Sequence, residues 1–242
     1  MRFIILSFLM LYSIGGIAQS EIYGRSVEKA RNQPEKGPNT MFHGGAVLGA
    51  GMLFSINESD SAKTTAGSWH LIYGIYGKHK LNRFLSAGWE IAYHRNVFSI
   101  NQDSLRNVFS PGLEFDSDKF RWNNIGLGGF LRINVDKRGN ILGKHIDLGG
   151  RIKYGVSVNR KRITKDDASV VSLGSGKQEE IFKRLDYIQN WQYEGFVRVG
   201  IETFGVYLNY RVSDLWKRSD NVNKGNVFPE LSRWTVGWDI RF

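Results

Sequence analysis

From residue 41 to the last residue the chain repeats one texture. Segments of roughly ten or more residues alternate apolar and polar side chains, and polar or glycine-containing stretches separate them. A period of two is the spacing of a β-strand whose two faces meet different surroundings. Eight segments have it, at 41–56, 69–79, 84–96, 121–135, 145–160, 187–202, 205–216 and 231–242. In the fifth, Ile146, Leu148, Ile152, Tyr154, Val156 and Val158 fall on one face, and Asp147, Arg151, Lys153, Ser157 and Asn159 on the other. In the sixth, Tyr193, Val197, Val199 and Ile201 oppose Glu194, Phe196, Arg198 and Glu202. In the seventh, Val206, Leu208, Tyr210 and Val212 oppose Tyr207, Asn209 and Arg211. The apolar face carries almost no charge.

The connections alternate in length. NESDSAKTTAG precedes the tight HKLNR, SINQDSLRNVFSPGLEFDSDKF precedes DKRGNILGK, KRITKDDASVVSLGSGKQEEIFKRLD precedes TFG, and KRSDNVNKGNVFPE comes last. That order predicts an all-β fold, an eight-stranded antiparallel up-and-down transmembrane β-barrel with its long loops at one end and both termini at the periplasmic end. A secreted β-sandwich has the same period, with the apolar face turned to a core. Strand length, loop asymmetry, an apolar closing strand and aromatic residues toward strand ends (Trp69, Tyr93, Trp122, Trp191, Trp234) favour the barrel.

The start of the chain bears on location. Residues 1–18 have one charge, Arg2, then an apolar run and the small residues Gly16 and Ala18, the pattern of a cleaved secretory signal peptide. Residues 19–40 are polar and punctuated by Pro34 and Pro38, an exposed periplasmic segment ahead of a barrel at 41–242. The absence of Cys removes disulfides, a lipid-bearing N-terminal Cys and every thiolate site. After Ala18 no run approaches the 18 or so apolar residues of a membrane helix, so a spanning chain must cross as strands. Only four Pro residues suit a sheet without edges to blunt.

Turned inward, the polar face gathers Glu90, His94, Arg132, Asp147, Arg151, Lys153, Glu194, Arg198, Glu202, Arg211, Asp239 and Arg241, five acids against six permanent bases. The interior of an eight-stranded barrel is just wide enough for side chains to fill, and buried charges persist when paired. A salt-bridged plug is therefore the structural expectation, and a narrow conduit or binding cavity the functional one. His43, His70, His79, His94 and His145 lack the close spacing of a zinc site. His70 and His94 near Glu90 would serve lipid ester hydrolysis only with a Ser that the sequence does not identify. No catalytic residue, cofactor site or metal site is assigned.

SLGSGKQ, residues 172–178, lacks the first Gly and the final Ser or Thr of a phosphate loop. IGLGGF, residues 125–130, has no following helix, and its glycines suit curvature or close packing. The net charge of +10 does not imply nucleic acid, since the chain has export features and no binding motif. Lys78, Lys80, Arg83, Lys137, Arg138 and Lys144 cluster in the two short turns, and Arg160, Lys161, Arg162 and Lys165 open the third long loop. These cations are expected to meet the phosphates of outer-membrane lipids and lipopolysaccharide. Asp103, Glu114, Asp116 and Asp118 in the second long loop would bridge divalent cations.

The stretches RGNILGKHIDLGGRIKYG, YRVSDLWK and FPELSRWTVGWDIRF, in a pattern covering most of the chain from residue 41, resemble the small outer-membrane β-barrel family of Gram-negative bacteria, closest to PorT-like barrels and the outer membrane protein β-barrel domain. The resemblance implies a non-enzymatic outer-membrane protein, a structural or partner-docking component of an envelope or protein-secretion system. The alternatives are an outer-membrane lipid hydrolase or a narrow pore. It transfers no catalytic residue. The closing strand, with Trp234, Val236, Trp238, Ile240 and terminal Phe242 on one face, is similar to the signal that the barrel-assembly machinery reads.

Overall fold

The computed structural model describes residues 41–55, 67–82, 84–100, 115–135, 143–164, 179–183, 185, 187–217 and 230–242. The expectations for residues 1–40 and for Arg83, Asp103, Glu114, Lys137, Arg138, Lys165 and SLGSGKQ lie outside the described residues, as does the Asp116 side chain.

Among the described residues there are nine strands: β1 (Phe42–Phe54), β2 (Trp69–Lys80), β3 (Leu85–Ile100), β4 (Phe115–Asn134), β5 (Lys144–Thr164), β6 (Glu179–Lys183), β7 (Trp191–Ile201), β8 (Phe204–Arg211) and β9 (Trp234–Arg241). Eight close into an antiparallel barrel in the order β4-β3-β2-β1-β9-β8-β7-β5, and β4 pairs with β5 to complete the ring. β6 lies outside the ring and pairs with the far end of β5. Residue partners traced from Tyr154 through Ile125, Tyr93, Tyr73, Leu48, Ile240, Phe204 and Ile201 return to β5 at Lys144, ten residues from the start. With strands about 4.8 Å apart and a rise of about 3.3 Å per residue, that stagger tilts the strands by about 40°. An interior of this size is filled by side chains.

Short and long connections alternate as the sequence predicts, which defines a turn end and a loop end. Three strands extend well past their expected ends. β3 reaches Ile100, β4 begins at Phe115 and β5 runs to Thr164, so these strands and β6 occupy sequence read as loop. Asp118, expected in an acidic cation-bridging loop, is buried on β4, where Arg160 grips it with Nε 2.9 Å from Oδ1 and Nη2 on Oδ2. Arg160, expected to face lipid phosphate, is buried in that pair. Arg162 packs its guanidinium over Phe182, 5.2 Å from the ring centroid. Lys78, expected in an exposed basic turn, is buried on β2.

A β-bulge reorients the upper part of β5. Asn123 pairs with Ser157 and Asn124 with Gly155, so Val156 is the extra residue. Beyond it the inward parity changes. Val158, expected on the apolar outer face, packs against the interior apolar cluster, and Arg160 follows it inward. Trp122, expected near the outer surface, is buried in the same cluster because it shares the parity of Asn124 and Arg132.

The outer face is apolar. Leu48, Tyr73, Ile75, Ile91, Leu127, Leu148, Val197, Val206 and Val236 are all exposed. By strand tilt and rise, Phe54, Trp69, Tyr154, Trp191, Tyr210 and Trp234 lie within about 4 Å either side of the Tyr154 level. Several touch: ring centroids are 4.9 Å apart for Tyr154–Trp191 and 4.6 Å for Tyr210–Trp234. Arg95 lies over the Trp69 ring at this upper edge, while His79 and Lys144 mark the lower edge. Between the edges, about 25 Å apart along the axis, no outward-facing described residue carries a formal charge.

Candidate functional site

The barrel interior brings together the polar parity of the strands. Glu90 on β3 is its centre. Arg151 Nε donates to Glu90 Oε1 at 2.7 Å, and Oε2 accepts from Arg241 Nη2 at 2.7 Å and Arg198 Nη2 at 3.4 Å. Arg198 also reaches Asp147 Oδ2 at 3.2 Å and pairs through Nε with Asp239 Oδ2 at 2.7 Å. Arg132 forks onto Asp147, with Nε 2.6 Å and Nη2 2.8 Å from the two carboxylate oxygens. Arg151 Nη1 donates to Glu194 Oε1 at 2.8 Å, and Lys153 Nζ holds the other Glu194 oxygen. Four carboxylates and five cations thus form one connected network contributed by β3, β4, β5, β7 and β9. None of these nine residues is more than 8% exposed.

Aromatic rings cover the guanidinium planes. Arg151 lies 4.0 Å from the Phe196 centroid, and Arg241 lies 4.6 Å from that of Tyr76 and 5.3 Å from that of Phe130. The π faces stabilise these partly dehydrated cations. Tyr76, Phe130 and Phe196, with Val47, form a buried cluster inside the barrel.

His94 joins the interior through another histidine. His70 Nε2 and His94 Nδ1 are 3.1 Å apart with stacked rings, and His70 Nδ1 is 2.9 Å from Tyr207 Oη. Both ring nitrogens of His70 are therefore engaged by His94 and Tyr207, while Glu90 is engaged by arginines. Close approach explains two glycines: a Cβ on Gly237 would lie 2.5 Å from Tyr207 Oη, and one on Gly128, in IGLGGF, 2.9 Å from Arg151 Cγ.

Two expected members stand apart. Glu202 is outside the barrel: β7 ends at Ile201, and Glu202 with Thr203 forms the exposed turn to β8. Its φ of 54° is the left-handed conformation this tight reversal uses, and its N–H donates to Gly143 O at 3.1 Å. Arg211 is buried at the loop end, with Nη1 2.5 Å from Glu230 Oε1 and Nη2 donating to Leu231 O at 2.8 Å. Glu230 Oε1 also accepts Leu215 N–H at 3.0 Å, so the pair clamps the segments flanking the last loop.

Above the central network sits an apolar plug that includes Leu53, Phe98, Phe120, Trp122, Trp216 and Leu231. The void between the layers, bordered by Lys153, Gln192, Glu194 and Arg211, measures about 10 Å³, roughly the room for one water. The sequence reading passed over Tyr76, Phe130, Gln192 and the Asp118–Arg160 pair. Inward parity alone would have placed Tyr76, Phe130 and Gln192.

On β9, Val236 and Trp238 are exposed, Trp234 and Ile240 half-buried and Phe242 66% exposed. All five share the outer parity, and Phe242 N–H donates to Ala46 O at 3.0 Å. Compared with protein-family models and with curated protein sequences, the chain has no match.

Proposed function

We propose that the chain is an outer-membrane β-barrel acting as a non-enzymatic scaffold, a structural or docking component of an envelope or secretion system of the PorT-like kind. One contrast carries this reading: the charges are paired inside at no more than 8% exposure, while an uncharged apolar band faces outward. A soluble barrel gains nothing from that inversion, whereas a lipid-embedded one requires it. The filled interior leaves the loop end and the rim as surfaces for partners.

The test is reconstitution. The purified protein is expected to give a heat-modifiable barrel in lipid vesicles and no single-channel steps in planar bilayers. Steady conductance would overturn the sealed-scaffold reading. Crosslinking in intact outer membrane followed by mild-detergent purification is expected to retain envelope proteins, and a solitary chain would remove the docking role.

The outer residues of β9 support recognition by the barrel-assembly machinery. Deleting Phe242 is expected to lower the membrane-inserted, heat-modifiable fraction severalfold at equal synthesis. Unchanged insertion would refute the role of the terminal aromatic.

A further inference from the structure

β5 changes partner part-way along its length. Lys144 to Tyr154 pair with β7, and Asn159 to Ile163 pair with β6. Between them, at the bulge, no strand flanks Gly155 to Val158 on that side among the described residues; Gly155 N–H donates to Asn190 O at 2.8 Å. The gap is a cleft of about 380 Å³ in the barrel wall, within the size range of small-ligand sites. Behind it, Ile188 bridges to Trp216, and Lys217 N–H donates to Tyr187 O at 2.9 Å.

The lining is sorted by chemistry. Val158 and Leu185 form an apolar floor continuous with the interior plug. Lys183 and Lys217 are exposed at the rim, with Asn159 and Asn190 completing a set of donors. Among the described residues the lining contains no carboxylate. Two ammonium groups and neutral amides above an apolar floor suit an anion attached to an apolar body, and compact ammonium charges suit phosphate. The cleft starts one residue beyond the Tyr154–Trp191 pair that marks the upper edge of the apolar band. In a bilayer, interfacial aromatics occupy the head-group level.

We infer that this cleft holds the phosphate-bearing head group of an outer-leaflet amphiphile, with Lys183 and Lys217 on the phosphate and the acyl chains descending along the apolar band. The inference rests on the membrane-embedded reading above. It localises lipid contact to a gap in the wall, distinct from the general basic charge of the rims.

Native mass spectrometry of the detergent-solubilised full barrel, titrated with lipid A, dephosphorylated lipid A and inorganic phosphate, tests it. Lipid A is expected to bind at least about tenfold more tightly than its dephosphorylated form, and Lys183→Ala/Lys217→Ala to remove about tenfold or more of that affinity. Equal binding by wild type and the double variant, or equal binding of the two lipids, overturns the site. Inorganic phosphate competing at lipid A concentrations overturns the amphiphile assignment. Vesicle insertion is scored on the same preparations: a protein that inserts but lacks lysine-dependent binding defeats this inference alone, and one that does not insert defeats the membrane reading.

Discussion

Replacing Glu90 by glutamine is expected to destabilise the barrel by about 3–5 kcal/mol, the usual consequence of removing one partner from a buried ion pair. The substitution keeps the volume and one acceptor oxygen; it removes the charge and sets an amide N–H2 against a guanidinium where the other oxygen accepted. Among the described residues Glu90 alone touches all of Arg151, Arg198 and Arg241, at 2.7, 3.4 and 2.7 Å. Without its charge, these guanidiniums retain Glu194, Asp147 and Asp239 but share fewer negative charges in a dehydrated interior. Urea unfolding in lipid vesicles, followed by tryptophan fluorescence, measures the loss. A companion variant separates charge imbalance from packing: Glu90→Gln with Arg241→Met removes one surplus cation and keeps apolar contact with Tyr76 and Phe130. The double variant is expected to be more stable than Glu90→Gln alone. A Glu90→Gln change within 1 kcal/mol of wild type would show that the network does not hold the barrel together.

The strand count, the alternating connections and most of the interior charge set were legible because strand parity is a local property. Asp147, Arg151 and Lys153 face inward for the same reason that Ile146, Leu148 and Ile152 face outward. Legibility failed where a single residue changes the backbone path. The extra Val156 sends Val158 and Arg160 inward, and nothing in the run GVSVNR marks a bulge, because a bulge is defined by the partner strand. Glu202 failed for a related reason: parity extrapolated past Ile201 into a left-handed turn residue. Trp122 was placed by its nearness to a strand end, although its parity with Arg132 already pointed inward. Charge also misled. Asp118 and Arg160 read as solvated loop residues until the extended pairing of β4 and β5 brings them together. The partner switch that opens the cleft beside β5 depends on which distant segments pair, and no local pattern encodes that.

Arginine in place of Leu48 is expected to destabilise the barrel in lipid by about 2–4 kcal/mol, and arginine in place of Tyr154 by only about 0–1 kcal/mol. Both positions face outward and are similarly exposed, 46% and 44%, so burial within the protein does not separate them. Depth does. Leu48 is the midpoint of the partner trace from Tyr154 to Lys144, about 12 Å along the axis from either edge of the apolar band. Its neighbours across the sheet are Tyr73 and Ile240, which offer no carboxylate to an introduced guanidinium. At the Tyr154 level, an arginine side chain reaches the head groups directly. The depth dependence is a property of the solvent around the barrel. Equal costs for Leu48→Arg and Tyr154→Arg in vesicles, measured by urea unfolding, would mean that the apolar band does not lie in hydrocarbon. A steep difference in vesicles that shrinks in lipid-free detergent, where a guanidinium finds water at shorter reach, would tie the uncharged outer face to membrane embedding.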